Sequence, residues 1–221
     1  METEKILELF YSGQPDNIEI ALVTAKSLKF DLKPIIYGLL QVRDAMNSSQ
    51  PNAPKTLPQA LAEVINAEHL DLMCLTDFPK GLHYLPKLKS LHVEHFHAHD
   101  LKSEQAIFPT QLEKLSLHFS MAICPVPTSI CKLPQLKILD LDNNSFSELP
   151  PEIGQLQSLE ILSLRGNLLM SLPEEIAQLT QLKKLYLAQN QLQLSLIPTQ
   201  LKNKDKTNKV IVNALRNIFK W

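Results

Sequence analysis

The sequence predicts an α/β solenoid, a chain coiled into successive turns that each add one strand to a parallel sheet, and three observations predict it. The first is a strict 23-residue period: Leu136, Leu139, Leu141, Asn144, Phe146, Leu149, Pro150, Ile153 and Leu156 recur as Leu159, Leu162, Leu164, Asn167, Leu169, Leu172, Pro173, Ile176 and Leu179. The second is a further copy on the same phase, opening with Leu182, Leu185, Leu187, Asn190 and Leu192. The third is the alternation inside each unit. Its L-x-L core puts two leucines on one face of a short strand and the residues between and beside them on the other.

Earlier copies drift but keep register. Leu112, Leu115, Leu117, Ile130 and Leu133 form one, reaching Val126-Pro127 one residue late. Leu88, Leu91, Val93, Leu101 and Phe108 form another, and Ala67, Leu70 and Leu72 start a shorter copy that meets its proline at Phe78-Pro79. Ahead of them, Leu57-Pro58, Leu61 and Val64 match the second half of a unit. The expected array is a leading half and six strand-bearing repeats over residues 57–201, enough for neighbours to bury one another. The unit L-x-x-L-x-L-x-x-N-x-L-x-x-L-P-x-x-I-x-x-L resembles the leucine-rich repeat, specifically the Ras-suppressor-like type with its Leu-Pro step. That resemblance implies a horseshoe with a concave parallel sheet, helical caps at both ends, a protein-binding role and a bacterial source.

The asparagines at position nine, Asn144, Asn167 and Asn190, fall where the chain leaves the strand. There a side-chain amide can satisfy backbone groups of its own and the adjoining repeat. Position nine holds Leu75, Phe96 and Ser120 in the first three repeats, so the N-terminal half should be less regular.

The ends are off-period. Residues 1–48 suggest helices: one over roughly Glu4 to Tyr11, one with Ile18, Ala21, Leu22, Ala25 and Leu28 on a face, and one beginning near Pro34 with Ile35, Ile36, Leu39, Leu40 and Met46. Asp16 and Glu19 fit a capping box for the second, and Asn47 to Lys55 reads as a linker. A cap over the first repeat's core edge is expected, rather than a separate interaction domain, because solenoid ends must be covered. At the other end, residues 182–221 carry a net charge of +7 while residues 136–181 carry −5, so the overall −1 conceals a charge dipole. Val210, Ile211, Leu215, Ile218 and Phe219 fit an amphipathic helix, making 202–221 a basic capping segment.

Composition excludes several classes. With 221 residues and 44% hydrophobic content, a sizeable core is expected, with no stretch long enough to span a membrane. The opening METEKILELF does not read as a signal peptide. Cys74, Cys124 and Cys131 are an odd number and do not cluster at the repeat ends, which favours a cytoplasmic protein with cysteines packed in the core. P-loop, GxGxxG and GxSxG patterns are absent, and five glycines leave little for a phosphate cradle. The reading is therefore no enzyme, no small-molecule substrate and no cofactor.

Aligning the repeats sets the outward residues in columns about 4.8 Å apart from strand to strand. The column between the paired leucines reads Asp71, His92, Ser116, Asp140, Ser163, Tyr186; the following one reads Met73, Glu94, His118, Asp142, Arg165, Ala188; the preceding one reads His69, Ser90, Lys114, Ile138, Ile161, Lys184. Ile138, Asp140, Asp142, Ile161, Ser163, Arg165 and Tyr186 make the candidate protein-binding patch, since apolar residues beside an Arg and a Tyr anchor protein partners. A monomer binding one protein partner is the expectation. The alternative is a peripheral membrane or nucleic-acid adaptor acting through the basic C-terminal segment. In HVEHFHAHD, His92 and Glu94 could converge with His118 and Asp142 on one face, a set that suits zinc or nickel. No CxxC or HExxH spacing supports them, and the expectation is no metal site.

Overall fold

The structure, a computed structural model, describes residues 2–47, 56–73, 79, 81–95, 108–119, 124–193, 198 and 211–212. Leu75, Phe96 and Ser120, with Cys74, His97, His99 and most of 202–221, lie outside them. The strands of the main sheet are short because each is centred on the L-x-L core of its unit. In chain order they are β1 (His69–Met73), β2 (Ser90–Glu94), β3 (Lys114–His118), β4 (Cys124–Pro125), β5 (Ile138–Asp140), β6 (Phe146–Glu148), β7 (Ile161–Ser163), β8 (Lys184–Tyr186) and β9 (Ile211–Val212). All except β4 and β6 form one parallel sheet in sequence order; β4 and β6 pair in parallel beyond the turn.

The register aligns the repeats leucine on leucine. Leu70, Leu91, Leu115, Leu139, Leu162 and Leu185 are Cα partners in succession, and Val212 continues the row. Those leucines and the second row, Leu72, Val93, Leu117, Leu141, Leu164 and Leu187, are buried throughout. Parallel strands need a long return, and here it is built from 3-10 turns at Leu82–Tyr84, Ile130–Lys132, Pro151–Gln155 and Glu174–Gln178. In the two regular repeats the Leu-Pro step delivers the chain into that turn. Leu149 and Leu172 are buried, and Pro150 and Pro173 hold extended geometry at its start (φ −71° and −67°).

Two further ladders lock each repeat to the next. Before each strand, two consecutive N–H groups share one carbonyl of the preceding repeat: Lys137 and Ile138 on Glu113 O, Glu160 and Ile161 on Lys137 O, Lys183 and Lys184 on Glu160 O. Beside them run exposed ion pairs, Glu68–Lys89 at 2.9 Å, Glu113–Lys137 at 2.7 Å and Glu160–Lys183 at 2.7 Å. After β2, β3, β5, β7 and β8, one residue of each turn takes a left-handed backbone: His95, Phe119, Asn143, Gly166 and Gln189, with φ between 53° and 63°. Only Gly166 meets that geometry without a Cβ penalty.

Four helices precede the sheet: α1 (Glu2–Tyr11), α2 (Pro15–Ser27), α3 (Lys33–Asn47) and α4 (Leu57–Ile65). Their buried residues, including Ile6, Phe10, Ile18, Ala21, Leu39, Val42, Leu61 and Ile65, are continuous with the core of the repeats. α3 packs against β1 and the turn at Leu82–Tyr84 at backbone distance, so that a Cβ on Gly81 would collide with the carbonyl of Gly38. Asn66, closing α4, donates to Gly13 O at 2.7 Å and accepts from Lys87 Nζ at 2.6 Å, tying the α1–α2 turn to the end of the first repeat.

Two expectations are corrected, at the start of α2 and at the far end of the sheet, and the leading half-unit takes helical form. The α2 start has no Asp16–Glu19 capping box. Pro15 opens the helix, Gln14 is the capping position with no side-chain cap, and Asp16 falls inside the first turn. The half-unit Leu57-Pro58 is the first turn of α4, where Leu57 is exposed while Leu61 and Val64 are buried. At the far end Ile211–Val212 are strand, not amphipathic helix. They pair with Lys184 and Leu185, and so satisfy backbone groups that β8 would otherwise leave at the sheet edge. Among the described residues, no helix is long and apolar enough to cross a membrane.

Candidate functional site

The register brings the candidate residues together as the columns require: Ile138, Ile161 and Lys184 are successive partners, as are Asp140, Ser163 and Tyr186. Past the strand ends the pairing continues, with Asn143 N–H donating to Arg165 O at 2.8 Å and Gly166 N–H to Ala188 O at 3.0 Å, which puts Asp142, Arg165 and Ala188 in the next column. Ile138 and Ile161 are half-buried, so they offer partial apolar contact rather than a fully exposed pair.

Asp142 organises the patch. Its Oδ1 accepts the Ser163 hydroxyl at 2.6 Å and the Arg165 N–H at 2.7 Å, while Oδ2 stands 4.0 Å from Arg165 Nη1. Asp140 Oδ1 in turn accepts the Asp142 N–H at 3.1 Å. The Arg165 guanidinium lies over the Tyr186 ring, 4.0 Å from its centroid. Packing of a cation on an aromatic face contributes about 0.5–1 kcal/mol at an exposed site and biases both side chains toward this arrangement. Ser163, counted among the contact residues, is buried beneath this network, and its hydroxyl is spent on Asp142.

The N-terminal half of the same face carries the histidines. His92 Nε2 and Glu94 Oε1 are 3.2 Å apart, and the His92 and His118 rings meet edge to face at 5.1 Å. His118 Nε2 lies 3.0 Å from Asp140 Oδ1, and this contact raises the imidazole pKa above its ordinary value against an opposing effect of burial. Burial pushes the Asp140 carboxyl up, but His118 and the Asp142 N–H outweigh it and leave the pKa lowered. Of the four possible ligands, the structure gathers His92, Glu94 and His118; Asp142 faces Ser163 and Arg165 instead. His95 departs from them and stacks on Phe119 at 5.0 Å, the two rings projecting from successive left-handed turn positions.

Residues 124–206 match a family model described as a leucine-rich repeat region. No curated protein matches the chain. Among solved structures, it is similar to a leucine-rich repeat protein of Leptospira interrogans, at 29% identity over 70% of this chain and 38% of that one, with a TM-score of 0.54. It is similar also to the Arabidopsis receptor kinase HAESA, solved with the peptide hormone IDA and the co-receptor SERK1, at 24% identity over 82% of this chain and 33% of that one, with a TM-score of 0.57. A plant ice-binding protein aligns at 22% identity over 72% and 56% of the two chains, with a TM-score of 0.50. The chain thus spans about two fifths of the Leptospira protein and a third of the receptor kinase chain. With the parallel sheet, these likenesses give a leucine-rich repeat solenoid.

Proposed function

We propose that this chain is a non-catalytic binding module that recognises a protein partner through the sheet face formed by Ile138, Asp140, Asp142, Ile161, Arg165 and Tyr186, with Ser163 buried beneath it as a support for Asp142. The observation that carries this reading is the Arg165–Tyr186 stack, held from below by Asp142. Arg and Tyr lead interface hot spots because each joins a large contact area to a directional polar tip, and prior immobilisation lowers the entropy cost of binding. The half-buried Ile138 and Ile161 supply a dry border. A partner presenting a basic group beside an apolar side chain is our reading of the fit, with the Asp140 and Asp142 carboxylates as acceptors in exchange for His118 and Arg165. The reading extends to the Ras-suppressor-like subtype, which the Leu-Pro steps support, with helices α1–α4 as an N-terminal cap over a concave sheet. A bacterial source, a monomeric state and a cytoplasmic setting complete it. The likeness to the Leptospira protein supports the first, and a buried free Cys131 supports the last.

The test is retention of a partner from the source organism's lysate by wild type and by the Arg165→Ala/Tyr186→Ala double variant. The variant should stay folded and bind the retained protein tenfold or more weakly, a decade corresponding to about 1.4 kcal/mol. If it retains the partner fully while substitutions at Lys202, Lys204, Lys206 and Lys209 release it, the basic segment is the binding surface and this reading fails. Salt-sensitive binding of anionic liposomes or DNA that those lysine substitutions abolish would identify the adaptor alternative.

A further inference from the structure

The geometry points to a second site on the same face, two strands away from the Arg165–Tyr186 stack: His92, Glu94 and His118 form a three-ligand site for one divalent transition metal ion of the zinc class. One ligand atom from each residue lies within 4.8 Å of the other two. His92 and Glu94 already stand 3.2 Å apart. Ligands bound to a tetrahedral zinc ion at about 2.0–2.2 Å are roughly 3.3 Å from one another, so this edge of the polyhedron is in place. A rotation of the His118 ring that keeps Nε2 on Asp140 is the adjustment the proposal requires.

The backbone presets the arrangement. Strands β2 and β3 pair His92 with Ser116 and Glu94 with His118 in an unbroken parallel register, and residues two apart on a strand share a face. His92 and Glu94 therefore project side by side from one strand, with His118 beside Glu94 on the next. Ser116, small and buried, occupies the position opposite His92 and leaves room for the rings to meet. All three candidate ligands are partly buried, their side chains 18–28% exposed, which limits both competing solvent and the entropy lost on binding. With Nε2 held 3.0 Å from Asp140 Oδ1, His118 would ligate through Nδ1, the arrangement in which a carboxylate orients a metal-bound imidazole. Two imidazoles and one carboxylate suit zinc, with nickel and cobalt as competitors and calcium and magnesium disfavoured. Three protein ligands leave a fourth tetrahedral position for water.

The probe is zinc chloride, titrated calorimetrically into the full chain after chelator treatment and desalting. Saturable uptake of one equivalent is expected. His92→Ala, Glu94→Gln and His118→Asn should each weaken it tenfold or more, and His69→Ala, one column away, should leave it unchanged. Urea melts of each variant without metal check folding, and the Asn substitution keeps a polar group near Asp140. Cobalt(II) gives an independent readout, since visible absorption of a low-coordinate ion should appear in wild type and vanish in His118→Asn. Absence of saturable zinc uptake overturns the proposal. So does uptake that persists in a folded His92→Ala/His118→Asn variant, because the ion would then be held by other histidines.

Discussion

Asn167 Oδ1 accepts the backbone N–H of Phe146 at 3.0 Å, across the boundary between two repeats. The same amide donates through Nδ2 to Leu141 O at 2.8 Å and to Leu164 O at 3.1 Å, so one side chain closes its own turn and the one before it. Asn190 repeats the pattern on Leu169, Leu164 and Leu187, but is less buried. Asn167→Ala should destabilise the protein by about 1–3 kcal/mol, the cost of leaving buried backbone groups unpaired. Asn190→Ala should cost less, because water reaches its turn. Equal losses in urea melts would show that burial of the ladder does not set its contribution.

Gly81→Ala should cost about 1–3 kcal/mol, the range for forcing extra atoms into a packed contact. The new Cβ would meet the Gly38 carbonyl, which is backbone and cannot rotate away. A melt indistinguishable from wild type would mean that α3 is not held against the first repeats as described.

Gln189→Gly should stabilise by up to about 1 kcal/mol. The gain is relief of a left-handed backbone at φ 58°, partly offset by the greater freedom of glycine in the unfolded chain. Gly166→Ala should do the opposite, adding a Cβ 2.8 Å from Asn143 Oδ1 at a residue with φ 63°. Chemical denaturation of the pair checks both signs.

Cys131 is buried, and burial first, then Glu152, pushes its thiol up to about 12. At pH 8 the native thiol should therefore resist iodoacetamide, the thiolate being the nucleophile. Unfolding in urea returns it to an ordinary value near 8.5, and alkylation should follow. Peptide mapping by mass spectrometry separates Cys131 from the other two cysteines; rapid native labelling would contradict the burial.

The repeat register was legible because leucine spacing is dictated by burial: every pair from Leu70/Leu72 to Leu185/Leu187 occupies the expected rows. The asparagine ladder was legible for the same reason, a buried turn needing a polar side chain. The left-handed column was not, since only Asn143 and Gly166 of its five positions carry residues that favour the geometry. The role of Asp142 was also hidden. Spacing places its carboxylate on the face, but nothing in the sequence shows that it would be engaged by Ser163 and the Arg165 N–H. At the start of α2 the sequence offers two signals, Asp16–Glu19 and Pro15, and the proline's fixed φ prevailed. The His92, Glu94 and His118 grouping follows from the columns once the register is known, although its ligands come from two strands and leave no fixed-spacing motif.

The unequal repeats have a consequence for how such a surface changes. Successive strands begin at His69, Ser90, Lys114, Ile138, Ile161 and Lys184, yet their Cα partners never slip. Differences in length therefore fall between the strands, and the pattern displayed by the sheet is insulated from them. Residues added or removed at the back should leave the spacing of side chains at the front intact. Duplicating a whole repeat, by contrast, would move everything beyond it one strand further along. The face behaves as a row of interchangeable tiles, open to revision one position at a time.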